Sequence, residues 1–209
     1  MSLSPRKERC MDLVMAGCAG YAGTGILARR YACTLAERLP GWLIRQAAGF
    51  DAEADRVEEA IAQAAEMFAC CDKKPDEPDS DVPQVLYVGD GGVLGALWFF
   101  AERFGLGMDV TLRRIPVRQE TVEISEILDV NPYQLYGKGA ALIRTDRPGM
   151  LIDELAGKGI AAERIGCAFY GYVRRIWNDG TEGYLNVPRH IDRMREGTRQ
   201  ALAALMPES

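Results

Sequence analysis

Apolar residues along this chain follow two periods, and glycine stands at the changes between them. Val85-Leu86-Tyr87-Val88 is a short apolar run of the kind that makes a buried strand. It breaks at Asp90-Gly91-Gly92 and gives way to an apolar-periodic segment reaching Arg103, which reads as strand, glycine turn and helix. The same change occurs earlier. Residues 13–18 form an apolar strand that breaks into Gly20-Tyr21-Ala22-Gly23-Thr24-Gly25, with a helix expected from about Ile26 to Leu39 and stopped by Pro40-Gly41. A third glycine turn, Gly137-Lys138-Gly139, precedes the apolar strand ending at Ile143.

Between these turns the pattern is plainer. Ala52, Val57, Ile61, Ala64, Ala65 and Phe68 fall on one helical stripe, and Glu53, Asp55, Glu58 and Glu59 face away. Residues 72–83 hold three prolines and five acids and are expected to be a solvated loop, with two readings, an insertion or a lid. Met108 to Leu112 alternates as a strand, and a helix is expected from Val117 to Leu128. Further elements are a helix within 148–159, a strand around Ile165 to Phe169, and a hairpin turn at Asn178-Asp179-Gly180, whose interleaved Tyr172, Arg174, Arg175, Trp177 and Tyr184 read as an outer hairpin or oligomer contact rather than a nucleic-acid stacking surface. Residues 188–209 read as a closing amphipathic helix. The whole predicts an α/β (α+β) domain over residues 12–187, a mixed sheet covered by helices, preceded by a flexible segment 1–11.

Composition narrows the function. The formal charge of -5 argues against a nucleic-acid partner, and no apolar run is long enough for a membrane span, so a cytoplasmic protein is expected. The single histidine, His190, makes a histidine metal site or a Ser-His-Asp triad hard to build, and no metal ligands are assigned. No two of the six cysteines have C-x-x-C spacing. They are expected to be reduced thiols, with Cys70-Cys71 the pair to watch for reactivity.

Chemistry concentrates at the glycine turns. A helix N-terminus has free backbone N–H groups, which suit an anion, and glycines let a ligand approach. Thr24 is expected to cap its helix. For Gly23-Thr24-Gly25 an anion-facing turn and a packing turn both stay open. For Lys138 the alternatives are a point charge for phosphate and a solvated turn lysine.

The blocks Val88-x-Asp90-Gly91-Gly92-Val93-Leu94-Gly95-Ala96-Leu97-Trp98, Ile115-Pro116-Val117-Arg118-Gln119-Glu120-Thr121 and Leu128-Asp129-Val130-Asn131-Pro132-Tyr133-Gln134-Leu135 occur in an order that resembles the C-terminal domain of AIR synthase-related (PurM-like) proteins. The HypE-type hydrogenase maturation branch is the nearest likeness. The resemblance covers most of residues 12–170 and implies a C-terminal domain standing alone, without the N-terminal ATP-binding domain. It implies ATP or phosphate as ligand at Gly23, Thr24, Gly25, Gly91, Gly92, Gly137, Lys138 and Gly139, with Asp90 as the catalytic acid. Mg²⁺ enters only if a partner supplies ligands. The family's turn carries His, Asp and Thr where this chain has Leu86, Tyr87 and Gly89, and its Ser-Ser-Gly is replaced by Gly137-Lys138-Gly139. Three functions stay open: an accessory or split-subunit nucleotide- or phosphate-binding domain completed by a separate N-terminal-domain-like protein, a non-catalytic protein-interaction or homo-oligomeric domain that has lost ATP chemistry, or an independent small-molecule enzyme using Asp90, Lys138 or a cysteine.

Overall fold

The computed structural model describes residues 10–71 and 83–188. The first strand explains the architecture around it. In β1 (Met11–Ala16), Leu13 and Met15 point to one side and Val14 and Ala16 to the other, and all four are fully buried. A strand buried on both faces must lie inside a sheet covered twice, which is why its sequence is apolar without alternation. Among the described residues the sheet has seven strands in the order β2-β4-β1-β5-β3-β6-β7. They are β2 (Val85–Tyr87), β3 (Leu106–Thr111), β4 (Ala141–Thr145), β5 (Ala162–Tyr170), β6 (Arg174–Asn178) and β7 (Thr181–Tyr184). Pairing is antiparallel except for β3 with β6, so the sheet is mixed, as expected.

One face carries α5 (Gly92–Phe104), whose Leu97 and Phe100 pack on Leu13, Met15, Met108 and Leu142. The other carries α4 (Phe50–Phe68) and α7 (Pro148–Gly157), where Ile61, Ala64, Leu151 and Leu155 meet Val14, Ala16 and Ile143. A lateral cluster joins α4 to α1 (Tyr21–Arg30), α2 (Ala32–Ala36), α3 (Gly41–Ala48) and α6 (Gln119–Leu128) through Ala28, Leu35, Leu43, Phe50 and Ile124. The β6–β7 hairpin turns at Asp179 and Gly180, both with positive φ, the backbone that a two-residue type I′ turn needs.

The structure corrects several boundaries. The first helix begins at Tyr21, not near Ile26, and it breaks at Tyr31 rather than running to Leu39. On α4 the inward residue of the first turns is Ala54, while Ala52 is exposed, because the helix starts at Phe50 and its stripe is set from there. Cys10 and Cys167 are disulfide-bonded, against the expectation of six reduced thiols. They lie 157 positions apart, and only the pairing of Asp12 with Cys167 in the β1–β5 ladder brings them together. Residues 72–82, His190 and the rest of 189–209 lie outside the described residues.

Candidate functional site

All three glycine turns lie at one end of the sheet, held together by backbone hydrogen bonds. Gly137 donates to Gly89 O at 3.2 Å, Gly23 donates to Tyr136 O at 2.8 Å, and Ala22 donates to Lys138 O at 3.3 Å. The 136–139 segment therefore lies between the start of α1 and the turn that opens α5. Asp90 and Lys138 both act electrostatically on the Tyr136 phenol. Burial raises its pKa most, Lys138 lowers it, and Asp90, Glu58 and Asp55 raise it.

Thr24 does not cap α1. The N-cap is Gly20, in the left-handed region with φ of 65°. Thr24 is one turn inside the helix and fully buried; its hydroxyl lies 2.8 Å from Gly20 O, to which it donates, and 2.9 Å from Thr121 Oγ1. Its flanking glycines serve close contact. A Cβ on Gly23 would lie 2.9 Å from the Tyr136 backbone, and one on Gly25 would lie 2.8 Å from Asp51 N.

The α5 turn is a tight joint. Gly91 and Gly92 have φ of 84° and 62°, a conformation costly to residues with a Cβ. A Cβ on Gly92 would lie 2.4 Å from Tyr133 O, so the 3-10 turn Pro132–Gln134 rests directly on the helix start. Asp90 is exposed beside it. Gly91, Leu94 and Gly95 also border a cavity of about 350 Å³ whose other walls are mainly Leu112, Ile176, Tyr184, Leu185 and Val187. Among the described residues no lysine or arginine lines that cavity.

Lys138 is paired. Its Nζ lies 2.6 Å from Asp55 Oδ1, and the neighbouring Gly139 N–H donates to Glu58 Oε1 at 3.0 Å. The Asp55 contact is the main cause raising the Lys138 pKa. Three acids of the expected outward face of α4 thus engage the glycine turns, Asp55 and Glu58 as above and Glu53, which accepts from the Tyr21 hydroxyl at 3.0 Å; Asp51, at the start of the helix, pairs with Arg29.

Two polar groupings were assigned no role from the sequence. Arg118 lies over the Phe50 ring at 5.2 Å and donates to buried Glu120, with Tyr21 stacked on the same Phe50. Next to them the Cys18 thiol is pushed up to about 11, chiefly by burial, and the Tyr21 phenol to about 12, by burial and by its bond to Glu53. Arg144 is almost wholly buried and donates to Gln84 Oε1 at 2.8 Å. Arg118 and Glu120 are two positions apart, but the contacts of Arg118 and Tyr21 with Phe50 and of Arg144 with Gln84 join residues far apart in sequence, and no local spacing marks them. Among the described residues no group of three or more His, Cys, Asp or Glu is placed to hold a metal ion. No helix among them is long and apolar enough to cross a membrane.

With this geometry in place, solved structures give a clear match. E. coli HypE superposes with a TM-score of 0.60 at 18% identity, over 88% of this chain and 52% of that one. The chain has a HypE-like fold. HypE in a HypE–HypF complex matches with a TM-score of 0.55 at 16% identity, over 87% of this chain and 54% of that one. AaThiL complexed with AMPPCP and TMP matches with a TM-score of 0.50 at 15% identity, over 82% and 48% of the two chains. The chain spans about half the length of the structures it matches. No protein-family sequence profile matches it, and no curated protein matches it in sequence.

Proposed function

We propose that this chain is a domain of the HypE-type branch that works by protein contact, self-associating through the β5–β7 end of its sheet, without nucleotide chemistry of its own. The observation that carries this reading is Tyr172, 90% exposed in the turn between β5 and β6. Tyr170, Val173, Tyr184 and Val187 around it in sequence are each about half exposed or more. Large aromatic side chains left in water supply contact area at low entropic cost and are the residue types enriched at interface centres. Strand β7 is the terminal strand of the sheet among the described residues, and an edge strand can pair with a second copy. The groups suited to phosphate are meanwhile engaged within the chain: Lys138 with Asp55, Gly139 N–H with Glu58, and Thr24 with Thr121.

Sedimentation velocity across a concentration series tests it. The chain is expected to associate, and Tyr172→Asp with Tyr184→Asp to shift it to monomer while leaving its circular dichroism unchanged. A wild-type monomer at every concentration overturns the proposal.

A second reading, an accessory or split-subunit domain for ATP or phosphate, is favoured by the meeting of the three glycine turns and by the fold it shares with a protein solved with AMPPCP. In that reading Asp90 is the acid, Gly23, Thr24, Gly25, Gly91, Gly92, Gly137, Lys138 and Gly139 surround the ligand, and a separate N-terminal-domain-like protein supplies any Mg²⁺ ligands. Calorimetric titration with ATP, with and without Mg²⁺, tests it: saturable heat abolished by Lys138→Ala supports it, and no heat at millimolar ATP contradicts it for the isolated chain.

A further inference from the structure

The Gly137-Lys138-Gly139 turn has the parts of an anion site, and it already holds anions. Two donors of different kinds come from successive residues, the Lys138 ammonium and the Gly139 N–H. Each meets a carboxylate from the same helix, Asp55 at 2.6 Å and Glu58 at 3.0 Å. Positions three apart on a helix share a face, so α4 presents the two carboxylates together. The backbone of the turn is fixed from the other side, where Lys138 O accepts from Ala22 N–H. The fit is close: a Cβ on Gly139 would lie 2.9 Å from the Tyr21 ring and 3.4 Å from Ala54 Cα, so α4 sits directly on the turn.

We propose that this turn is an anion cradle whose resident ligands are the chain's own Asp55 and Glu58 carboxylates, and that these two acids exclude phosphate and phosphate esters from it. Carboxylate and phosphate oxygens accept the same charge-assisted bonds, so the internal pair competes for the same donors. The competition is also electrostatic, since Asp55, Glu58 and Asp90 all raise the pKa of Tyr136 in the same place. Asp55 is the removable member, because its side chain is 78% exposed. This inference rests on the reading of the domain as one that does not bind nucleotide unaided, and it names the residues that keep it so.

The test is a titration with inorganic phosphate at constant ionic strength, followed by calorimetry, on wild type, Asp55→Ala, and Asp55→Ala with Glu58→Ala. The double variant is expected to bind phosphate at least about tenfold more tightly than wild type, because removing two unit charges a few ångströms away lifts their repulsion of the anion and frees its donors. Adding Lys138→Ala is expected to abolish the gain. Asp55→Ala alone, an exposed change to a good helix former, is expected to give part of the gain and keeps the test open if the double variant fails to fold. Phosphate binding to wild type as tight as to the variants overturns the proposal, as does a folded Asp55→Ala variant with no gain or a gain that survives Lys138→Ala. Sedimentation of the same proteins reads the association proposal separately, since a monomer that still gains phosphate affinity contradicts only the latter.

Discussion

At the scale of single residues, chemical type is a poor guide to role in this chain. Thr24 has the identity of a cap and the position of a core residue, and its bond to Thr121 ties α1 to α6. A hydroxyl partner 97 positions away cannot be read from spacing. The reverse holds at Gly92, where the glycine signal was legible and its cause is steric. Gly92→Ala meets both a positive φ and a contact at 2.4 Å with Tyr133 O, so it is expected to destabilise by about 2 kcal/mol or more. Gly89→Ala, with nothing within 4 Å and no positive φ, is the control expected to change stability little. Denaturant unfolding of the two variants reads the difference. Among the cysteines, Cys18 is buried with its thiol pushed up to about 11, whereas Cys33 and Cys71 are exposed. Brief alkylation of the native protein near neutral pH, followed by peptide mass spectrometry, is expected to modify Cys33 and Cys71 and spare Cys18.

At the scale of elements, the strands and helices with strong periodicity were legible and the junctions were not. The α5 helix follows its apolar pattern from Gly92 to Phe104, and the β6–β7 hairpin follows its Asn-Asp-Gly turn. The first helix was misplaced because Gly23 and Gly25 look like loop residues. The structure uses them inside α1, where a lack of side chain lets the helix touch Tyr136 and Asp51. Tertiary contact there outweighs the low helix propensity of glycine. The outward acids of α4 were correctly seen as polar, but the periodicity says nothing about their targets. The placement of Glu53 against Tyr21, and of Asp55 and Glu58 against Lys138 and Gly139, is a property of the folded sheet, and it changes how the candidate site reads chemically.

At the scale of the whole molecule, the sheet joins residues from distant parts of the chain, and charge pairs cross its strands. Asp109 on β3 accepts from Arg175 on β6 at 2.6 and 2.8 Å, and this holds its carboxyl below the ordinary value of 3.8. A depressed folded pKa stabilises fully above 3.8, and that stability is lost as pH falls from there through the lower folded value. Asp51, held down by Arg29, contributes with the same sign. Asp109→Asn is therefore expected to lower stability near neutrality and to flatten, without removing, its decline in acid, as read by urea midpoints at about pH 6 and about pH 3. The mixed sheet and its helical cover were expected from the alternation of apolar patterns, and the match to HypE gives the same fold. The aromatic end was legible as an outer hairpin or oligomer contact from the interleaved aromatic and basic residues between Tyr170 and Tyr184, and the structure leaves Tyr172 and Tyr184 exposed there.

Self-association through that end is the central claim, and sedimentation velocity over a wide concentration range tests it most directly. The account predicts that the wild-type protein moves from monomer to oligomer as concentration rises and that Tyr172→Asp with Tyr184→Asp stays monomeric. A wild-type chain that sediments as a monomer throughout, or a double variant that associates as well as wild type, would contradict it.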